Sequence, residues 1–247
     1  MKTMICLILD RSGSMQGREG DVIGGVNNFI EEQKKLPDPA SVAFVRFDTE
    51  IERFRPMQDL SKVEPLTKGE YQPRDSTALF DAVGQTITKL DDDWKVEKPD
   101  RCIVVIVTDG QENASKEYTR AKIQALIKAR QDSNLWAFIY LGANVDAFAE
   151  AGSLGVSMAN TAGYTNTAAG TKRMYGAASA SVGLMRSTGH TTAHNLGVAN
   201  LGEDEDDQSA KVPPPVIPTV QPAAASTTWT PPTTTTAPSN SAWTPPS

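Results

Sequence analysis

The sequence predicts an α/β fold in which helices cover both faces of a parallel sheet. Residues 4–9 and 102–107 are uninterrupted apolar runs, the pattern of central parallel strands that are buried on both faces. Amphipathic segments with apolar residues at helical spacing alternate with the predicted strands along the chain. This alternation of strand and helix is typical of α/β proteins.

Helical periodicity defines five amphipathic segments. Apolar residues recur at helical spacing in residues 22–36, 79–90, 118–130, 146–154 and 167–186. Each segment predicts a helix with one apolar face, which suits packing against a sheet.

Shorter segments complete the predicted sheet. Residues 41–47 and 51–54 flank a tight turn, which predicts a strand followed by an edge strand. Residues 135–141 predict another strand, and residues 156–158 a short final one. The run Asp91-Asp92-Asp93 predicts a solvated loop, because negative charge is unfavourable at the C-terminal end of a helix.

Composition divides the chain into a folded part and a tail. We expect one α/β domain over residues 1–190, in which the last predicted helix is a C-terminal extension. Ten of the sixteen prolines follow Lys211 and no charged side chain does. Residues 191–247 therefore predict a disordered tail that is Thr/Gly-rich, then acidic, then Pro/Thr-rich. Trp229 and Trp243 each begin a Trp-Thr-Pro-Pro repeat, which partner docking and low-complexity drift explain about equally well.

Charge, hydropathy and cysteine usage narrow the class of protein. The net charge of −6 argues against binding to nucleic acid, which requires clustered Lys and Arg. No apolar stretch is long enough to span a membrane. The N-terminal apolar run ends at Asp10, too early for a signal peptide. Cys6 and Cys102 lie in predicted strands about three residues out of register, beyond disulfide reach. Free buried thiols predict a reducing compartment, the cytoplasm.

Oxygen-bearing side chains gather where the two central strands end. Asp10 and Asp109 each follow an apolar strand, and the carboxyl ends of such strands form the usual ligand-binding edge. Ser12 and Ser14 alternate in the next loop, and Thr77 precedes a helix, so three hydroxyls can join two carboxylates. Taken singly, each hydroxyl suits helix capping. Taken together, the oxygen-only set suits Mg²⁺ first and Mn²⁺ next, whereas zinc prefers Cys and His.

The order and separation of these motifs resemble the metal-ion-dependent adhesion site of von Willebrand factor type A domains. The resemblance covers residues 1–160 and is carried by Asp10-Arg11-Ser12-Gly13-Ser14-Met15, by Asp75-Ser76-Thr77-Ala78-Leu79-Phe80-Asp81-Ala82 and by Val107-Thr108-Asp109-Gly110. It implies a Rossmann-like, doubly wound and mostly parallel sheet with one antiparallel edge strand. It also implies direct metal ligation by Ser12, Ser14 and Thr77, with Asp10 and Asp109 bound directly or through water. An Asp or Glu of a partner protein would complete the shell.

The resemblance has one departure and one implication for origin. The family often has glycine just before the threonine, whereas Asp75-Ser76 stands here, so a further charge near the metal can alter affinity for the partner. The form of the chain resembles stand-alone bacterial or phage members rather than secreted adhesion proteins.

The main prediction is a metal-dependent protein-binding module that is not an enzyme. One alternative is an assembly protein, virion-associated if phage-encoded, that docks through its tail. A second is a metal-dependent phosphotransferase, which usually needs a carboxylate where Ser12 stands. Two weaker candidates are His190 with His194, which are spaced for a metal but lack a nearby third ligand, and Glu112 with Asn113, which are expected to shape the partner surface.

Overall fold

The computed structural model describes residues 1–143, 146–165, 167–193 and 196. In that part of the chain, six strands form one sheet in the order β3-β2-β1-β4-β5-β6. The strands are β1 (Thr3–Asp10), β2 (Ala40–Phe47), β3 (Ile51–Asp59), β4 (Arg101–Thr108), β5 (Trp136–Gly142) and β6 (Thr161–Gly163). The helices are α1 (Glu19–Lys34), α2 (Leu79–Glu97), α3 (Arg120–Gln131), α4 (Ala147–Ser153) and α5 (Ala168–Thr188).

The sheet confirms the predicted fold class. All neighbouring strands are parallel except β2 and β3, which pair antiparallel at one edge. β1 pairs with β2 on one side and with β4 on the other. The strand order therefore reverses at β1: β2 and β3 extend the sheet in one direction, and β4, β5 and β6 extend it in the other. This is the topological switch point, where open α/β sheets bind their ligands. Leu9 pairs with Val107, so Asp10 and Thr108 end neighbouring strands at the same height.

Alternation along the buried strands supplies two apolar layers, one on each face of the sheet. One layer joins alternate residues of the central strands to α1 and α5, and the other joins the remaining ones to α2, α3 and α4. Every residue of β1, β4 and β5 is buried, as the uninterrupted apolar runs predict. Each Å² of apolar surface removed from water contributes about 25 cal/mol to stability, so burial on both faces stabilises the strands that carry the site.

Helix α2 corrects the prediction of a solvated loop at Asp91-Asp92-Asp93. The helix continues through these residues to Glu97 and ends at Lys98, whose φ of 45° is left-handed. The acidic run is accommodated because cations from elsewhere neutralise it. Arg53 donates to Asp93 at 2.6 Å, and Arg130 donates through Nε to Asp91 at 3.1 Å.

Two strand boundaries and one register also differ from the prediction. β3 extends to Asp59 rather than ending at residue 54, and residues 156–158 do not form the predicted final strand. A short 3₁₀ turn at Met158–Asn160 instead leads into β6. Cys6 lies opposite Val104 while Met4 lies opposite Cys102, an offset of two residues rather than three. Both thiols are free and buried, and burial raises the pKa of Cys6 to about 12.

The end of the described chain packs on the domain. Asn160 donates to the carbonyl of Thr191 at 3.0 Å and accepts from the amide of Ala193 at 2.6 Å. Ala193 and Leu196 are buried in the same layer as α5. The rest of the predicted tail, with His194, Trp229 and Trp243, lies outside the described residues. No helix of the described chain is long and apolar enough to cross a membrane.

The segment that follows β3 contacts the end of β1. Tyr71 is buried and donates its hydroxyl hydrogen to the carbonyl oxygen of Asp10. The residue before it, Glu70, accepts from Arg55 Nε at 2.7 Å and from Arg55 Nη2 at 2.8 Å. These hydrogen bonds from Arg55 hold the pKa of Glu70 down at about 2.

Replacing Glu70 with glutamine is expected to make stability less dependent on pH in acid. Because the folded-state pKa lies below the usual value of 4.5, the ionised pair stabilises the protein above about pH 4.5 and loses this effect as pH falls towards 2. Solvent screens the pair because the Glu70 side chain is 31% exposed, so we expect a loss of about 1 kcal/mol at pH 7 in Glu70→Gln. Urea unfolding at pH 7 and pH 2.5 measures this, and an equal difference at both pH values would contradict it.

Candidate metal centre

Asp10 is the buried anchor of the candidate site. Its carboxylate is fully shielded from solvent, and accepts from Ser12 N at 2.7 Å through Oδ1 and from Thr108 Oγ1 at 2.6 Å through Oδ2. Burial raises the pKa of Asp10 to about 6, although the hydrogen bonds from Thr108 and Ser12 oppose this change. A desolvated carboxylate with few counter-charges is stabilised by a cation.

A chain of oxygen atoms links the loop after β1 to the loop after β4. The Ser12 and Ser14 hydroxyls are 3.0 Å apart, and Ser14 donates to Asp109 Oδ1 at 2.6 Å. The two serines follow β1 in a 3₁₀ turn at Gly13–Met15, which places their side chains side by side. Residues that are far apart in sequence are thus within hydrogen-bonding distance at the carboxyl edge of the sheet.

Gly110 shows where the oxygen atoms converge. A side-chain carbon at Gly110 would lie 2.7 Å from Thr77 Oγ1, 3.3 Å from Ser14 Oγ and 3.4 Å from Asp10 Oδ2. Oxygen atoms from two separate segments, the end of β1 with its following loop and the loop before α2, therefore lie around one point that only glycine leaves open. This cradle fits a small cation, and its oxygen-only donors are those that Mg²⁺ and Mn²⁺ prefer.

The candidate site is open to solvent on one side. Within the described part of the chain, no group of three or more His, Cys, Asp or Glu side chains is arranged to hold a metal. The candidate site relies instead on hydroxyls beside two carboxylates. Ser12 and Thr77 are buried while Ser14 is exposed, so solvent reaches the cradle from the Ser14 side.

The loop that carries Thr77 is held by hydrogen bonds to its backbone N–H and C=O groups. Thr77 N donates to Asn113 Oδ1 at 2.9 Å, and Asn113 N donates to Thr77 O at 3.0 Å. Gly13 N donates to Asp75 O at 2.9 Å, and Asp75 has a left-handed φ of 55°. The Asp75 side chain is 55% exposed and lies 3.9 Å from Arg74 Nε, which contacts Asp48 more closely at 2.7 Å.

Two acidic side chains join helix α2 to the loop after β4. Asp81 accepts from the backbone amides of Lys116, Glu117 and Tyr118, at 2.7 to 3.0 Å. Glu112 accepts from Phe80 N at 2.9 Å and so caps the start of α2. Glu112 and Asn113 thus hold the loops that carry Thr77 and Asp109. No role for Asp81 was predicted from the sequence, in which it stands within the motif Asp75–Ala82.

Arg18 is a second residue that the sequence did not reveal. Its Nη1 donates to Asp109 Oδ2 at 2.6 Å, and its Nη2 donates to Tyr164 Oη at 3.2 Å. Burial alone would lower the pKa of Arg18, but the interactions with Tyr164 and Asp109 outweigh it and raise the pKa. An arginine near the start of a helix carries no sequence signal for such a contact.

Asp48 and Glu50 form a turn. Glu50 N donates to Asp48 Oδ1 at 2.7 Å, and the buried Asp48 carboxylate lies 2.8 Å from Arg11 Nε and 2.7 Å from Arg74 Nε. Although burial opposes ionisation, the hydrogen bonds and the two arginines lower the pKa of Asp48. The carboxylate is thus fully engaged in holding the turn, as expected for a structural residue.

Comparison with known proteins identifies a sequence family and shared folds. A profile of the von Willebrand factor type A domain matches residues 5–161. The von Willebrand factor type A structure from Catenulispora acidiphila is 17% identical with a TM-score of 0.50, covering 73% of this chain and 42% of that chain. The pilus adhesin SpaC from Lactobacillus rhamnosus GG is 15% identical with a TM-score of 0.56, covering 74% and 30%.

A third solved structure carries a metal at the corresponding type of motif. This structure is proximal thread matrix protein 1 from the mussel byssus, with zinc in its MIDAS (metal-ion-dependent adhesion site) motif. It is 16% identical with a TM-score of 0.50, and the match covers 71% of this chain and 44% of that chain. The present chain spans less than half the length of these three structures. A search of curated proteins gave no match.

Proposed function

Because this chain belongs to the von Willebrand factor type A domain family, we propose that it is a protein-binding module that works through a bound divalent cation. Domains of this family commonly use a metal site to bind other proteins. We assign Mg²⁺, with Mn²⁺ as a substitute, to the oxygen atoms at the carboxyl edge of the sheet. The proposed ligands are Asp10, Ser12, Ser14, Thr77 and Asp109.

The observation that carries this proposal is the convergence of oxygen atoms beside Gly110. Thr77 Oγ1, Ser14 Oγ and Asp10 Oδ2 all lie within 3.4 Å of one point, although Thr77 comes from a different loop than Asp10 and Ser14. Helix capping does not explain this arrangement, because Ser14 Oγ donates to Asp109 Oδ1 and Asp10 Oδ2 accepts from Thr108 Oγ1 rather than from a helix amide. A shared cation explains all three.

The ligand chemistry also indicates what the ion would bind. Three of the five proposed ligands are neutral hydroxyls, so the protein supplies fewer charges than an all-carboxylate calcium site. The bound ion would remain electrophilic and would keep a coordination position on the exposed Ser14 side. A carboxylate from an Asp or Glu of a partner protein suits that position, because Mg²⁺ prefers oxygen ligands and a negative charge.

The first test measures metal binding by two variants, each of which replaces one threonine with valine. Thr77→Val removes a proposed ligand hydroxyl without changing side-chain shape, and we expect it to weaken Mg²⁺ binding at least tenfold. Thr3→Val is the matched control, since Thr3 is buried at the opposite end of β1 and its hydroxyl has no hydrogen-bond partner. Isothermal titration with Mg²⁺, Mn²⁺ and Zn²⁺ measures all three proteins. No Mg²⁺ binding to the wild type, or equal binding by both variants, would refute the assignment.

The second test concerns the partner. Immobilised wild-type protein is expected to retain a partner in Mg²⁺, release it in chelator and rebind it when Mg²⁺ is restored. Thr77→Val should retain little partner, while Thr3→Val should retain it as the wild type does. If the partner is retained equally in chelator and by Thr77→Val, it binds another surface of the protein.

An assembly role for the tail is the second candidate, and the repeated Trp-Thr-Pro-Pro element at Trp229 and Trp243 is the observation that favours it. Two of the similar solved structures are a matrix protein of the mussel byssus and a pilus adhesin. Removing residues 203–247 separates the two functions. We expect the partner to stay bound if the metal site alone recruits it, and to be lost while Mg²⁺ still binds if the Trp229 and Trp243 repeats recruit it.

Two negative assignments complete the proposal. We infer that the chain is not an enzyme, because Ser12 stands where a phosphotransferase of similar topology would place a second carboxylate. We also place the protein in the cytoplasm, because Cys6 and Cys102 are free, buried thiols. Neither nucleic acid nor membrane is among the proposed partners.

A further inference from the structure

Arg18 is a buried cation next to the proposed metal site. Its guanidinium contacts Asp109 Oδ2 at 2.6 Å, while the hydroxyl of Tyr164 holds its other end at 3.2 Å. The Tyr164 ring also lies 5.6 Å from the guanidinium carbon. The side chains of Arg18 and Asp109 are 11% and 5% exposed, so water screens their interaction only weakly.

Asp109 is held at both of its oxygen atoms. Oδ2 accepts from Arg18, and Oδ1 accepts from Ser14 Oγ at 2.6 Å. The negative charge of Asp109 is thus already balanced by the buried Arg18 guanidinium. Among the described residues, the donors to the other carboxylate, Asp10, are both neutral, namely Ser12 N and Thr108 Oγ1.

The charge balance of the site follows from this pairing. The two carboxylates alone would balance the charge of a divalent cation, so the cluster would then prefer an anion only weakly, through the ion itself. Arg18 adds one positive charge that is tied to Asp109, so the occupied cluster carries a net positive charge. That charge attracts an anionic ligand and, at the same time, opposes binding of the cation itself.

We propose that Arg18 is a specificity-determining residue, which makes the occupied site select a carboxylate over a neutral oxygen ligand at the expense of metal affinity. This inference rests on the proposed function and goes further, since it assigns the preference for an acidic partner to a residue outside the ligand set. It makes two predictions of opposite sign. Loss of the charge strengthens cation binding and weakens carboxylate binding, whereas loss of a mere structural brace weakens both.

The test compares wild-type protein with Arg18→Gln and Arg18→Lys. Mn²⁺ affinity is measured by titration, followed by water-proton relaxation as two probes displace water from the Mn²⁺-loaded protein. The probes are N-acetylglutamate amide and N-acetylglutamine amide, which have the same shape and differ in charge. In Arg18→Gln we expect Mn²⁺ to bind roughly tenfold more tightly and the preference for the glutamate probe to fall roughly tenfold. Arg18→Lys should keep the wild-type preference.

Each outcome bears on a separate claim. Weaker binding of both Mn²⁺ and the glutamate probe in Arg18→Gln, or no change in either, would overturn the role of Arg18. If Arg18→Gln does not fold, Arg18→Lys decides, because a lost preference for the glutamate probe despite a retained charge would also overturn it. Absence of Mn²⁺ binding in the wild type would instead refute the proposed function. Circular dichroism melting confirms folding of each variant.

Discussion

Gly110→Ala is expected to weaken Mg²⁺ binding by about 100-fold or more, while leaving the protein folded. The added methyl group would occupy the point that three oxygen atoms face, 2.7 Å from Thr77 Oγ1. Ligand and methyl group cannot both fit, so Thr77 must move away from the cation. The backbone of Gly110 is not in the left-handed region, so alanine causes no backbone strain there.

Gly69→Ala is the matched control for this experiment. Gly69 also lies in a loop with an ordinary φ, and an added carbon there would come no closer than 4.0 Å to its nearest neighbour, Thr67 Oγ1. Titration with Mg²⁺ should give wild-type affinity for Gly69→Ala and little or no heat for Gly110→Ala. Wild-type affinity in a folded Gly110→Ala would mean that the cation, if bound, does not occupy the cradle.

The sequence was sufficient for the parts of the fold that local patterns determine. Uninterrupted apolar runs identified β1 and β4 because strands buried on both faces need no polar alternation. The tight turn at Asp48 indicated the β2–β3 hairpin, which is the antiparallel edge. The location of the candidate site also followed, because Asp10 ends β1 and Asp109 follows β4, and these two strands are neighbours in the sheet.

Contacts between distant residues account for what the sequence did not show. Helix α2 runs through three aspartates because Arg53 and Arg130 approach them from other elements. Arg18 lies 91 residues from Asp109 and 146 from Tyr164, so no local pattern links them. The five oxygen ligands could be proposed from motifs, whereas the cation that balances their charge required the three-dimensional structure.

The packing of α1 against α5 depends on a second glycine in the same way. A side-chain carbon at Gly25 would lie only 2.0 Å from Cδ2 and 2.5 Å from Cε2 of Tyr175. Tyr175 is itself fully packed, with 1% of its surface exposed, so its ring has little room to move. The neighbouring Gly24 has no such contact, since an added carbon there would meet nothing within 4 Å.

Gly25→Ala is therefore expected to lower the free energy of unfolding by about 3 kcal/mol, from overpacking, although alanine favours helices. Gly24→Ala, made one residue earlier in the same helix, should instead raise it by about 0.5–1 kcal/mol. Guanidinium unfolding midpoints measure both, and similar shifts in the two variants would contradict a close contact between α1 and Tyr175. Combining Gly25→Ala with Tyr175→Leu supplies the decisive check, because removing the ring should make the added methyl group far less costly than it is in the wild-type background.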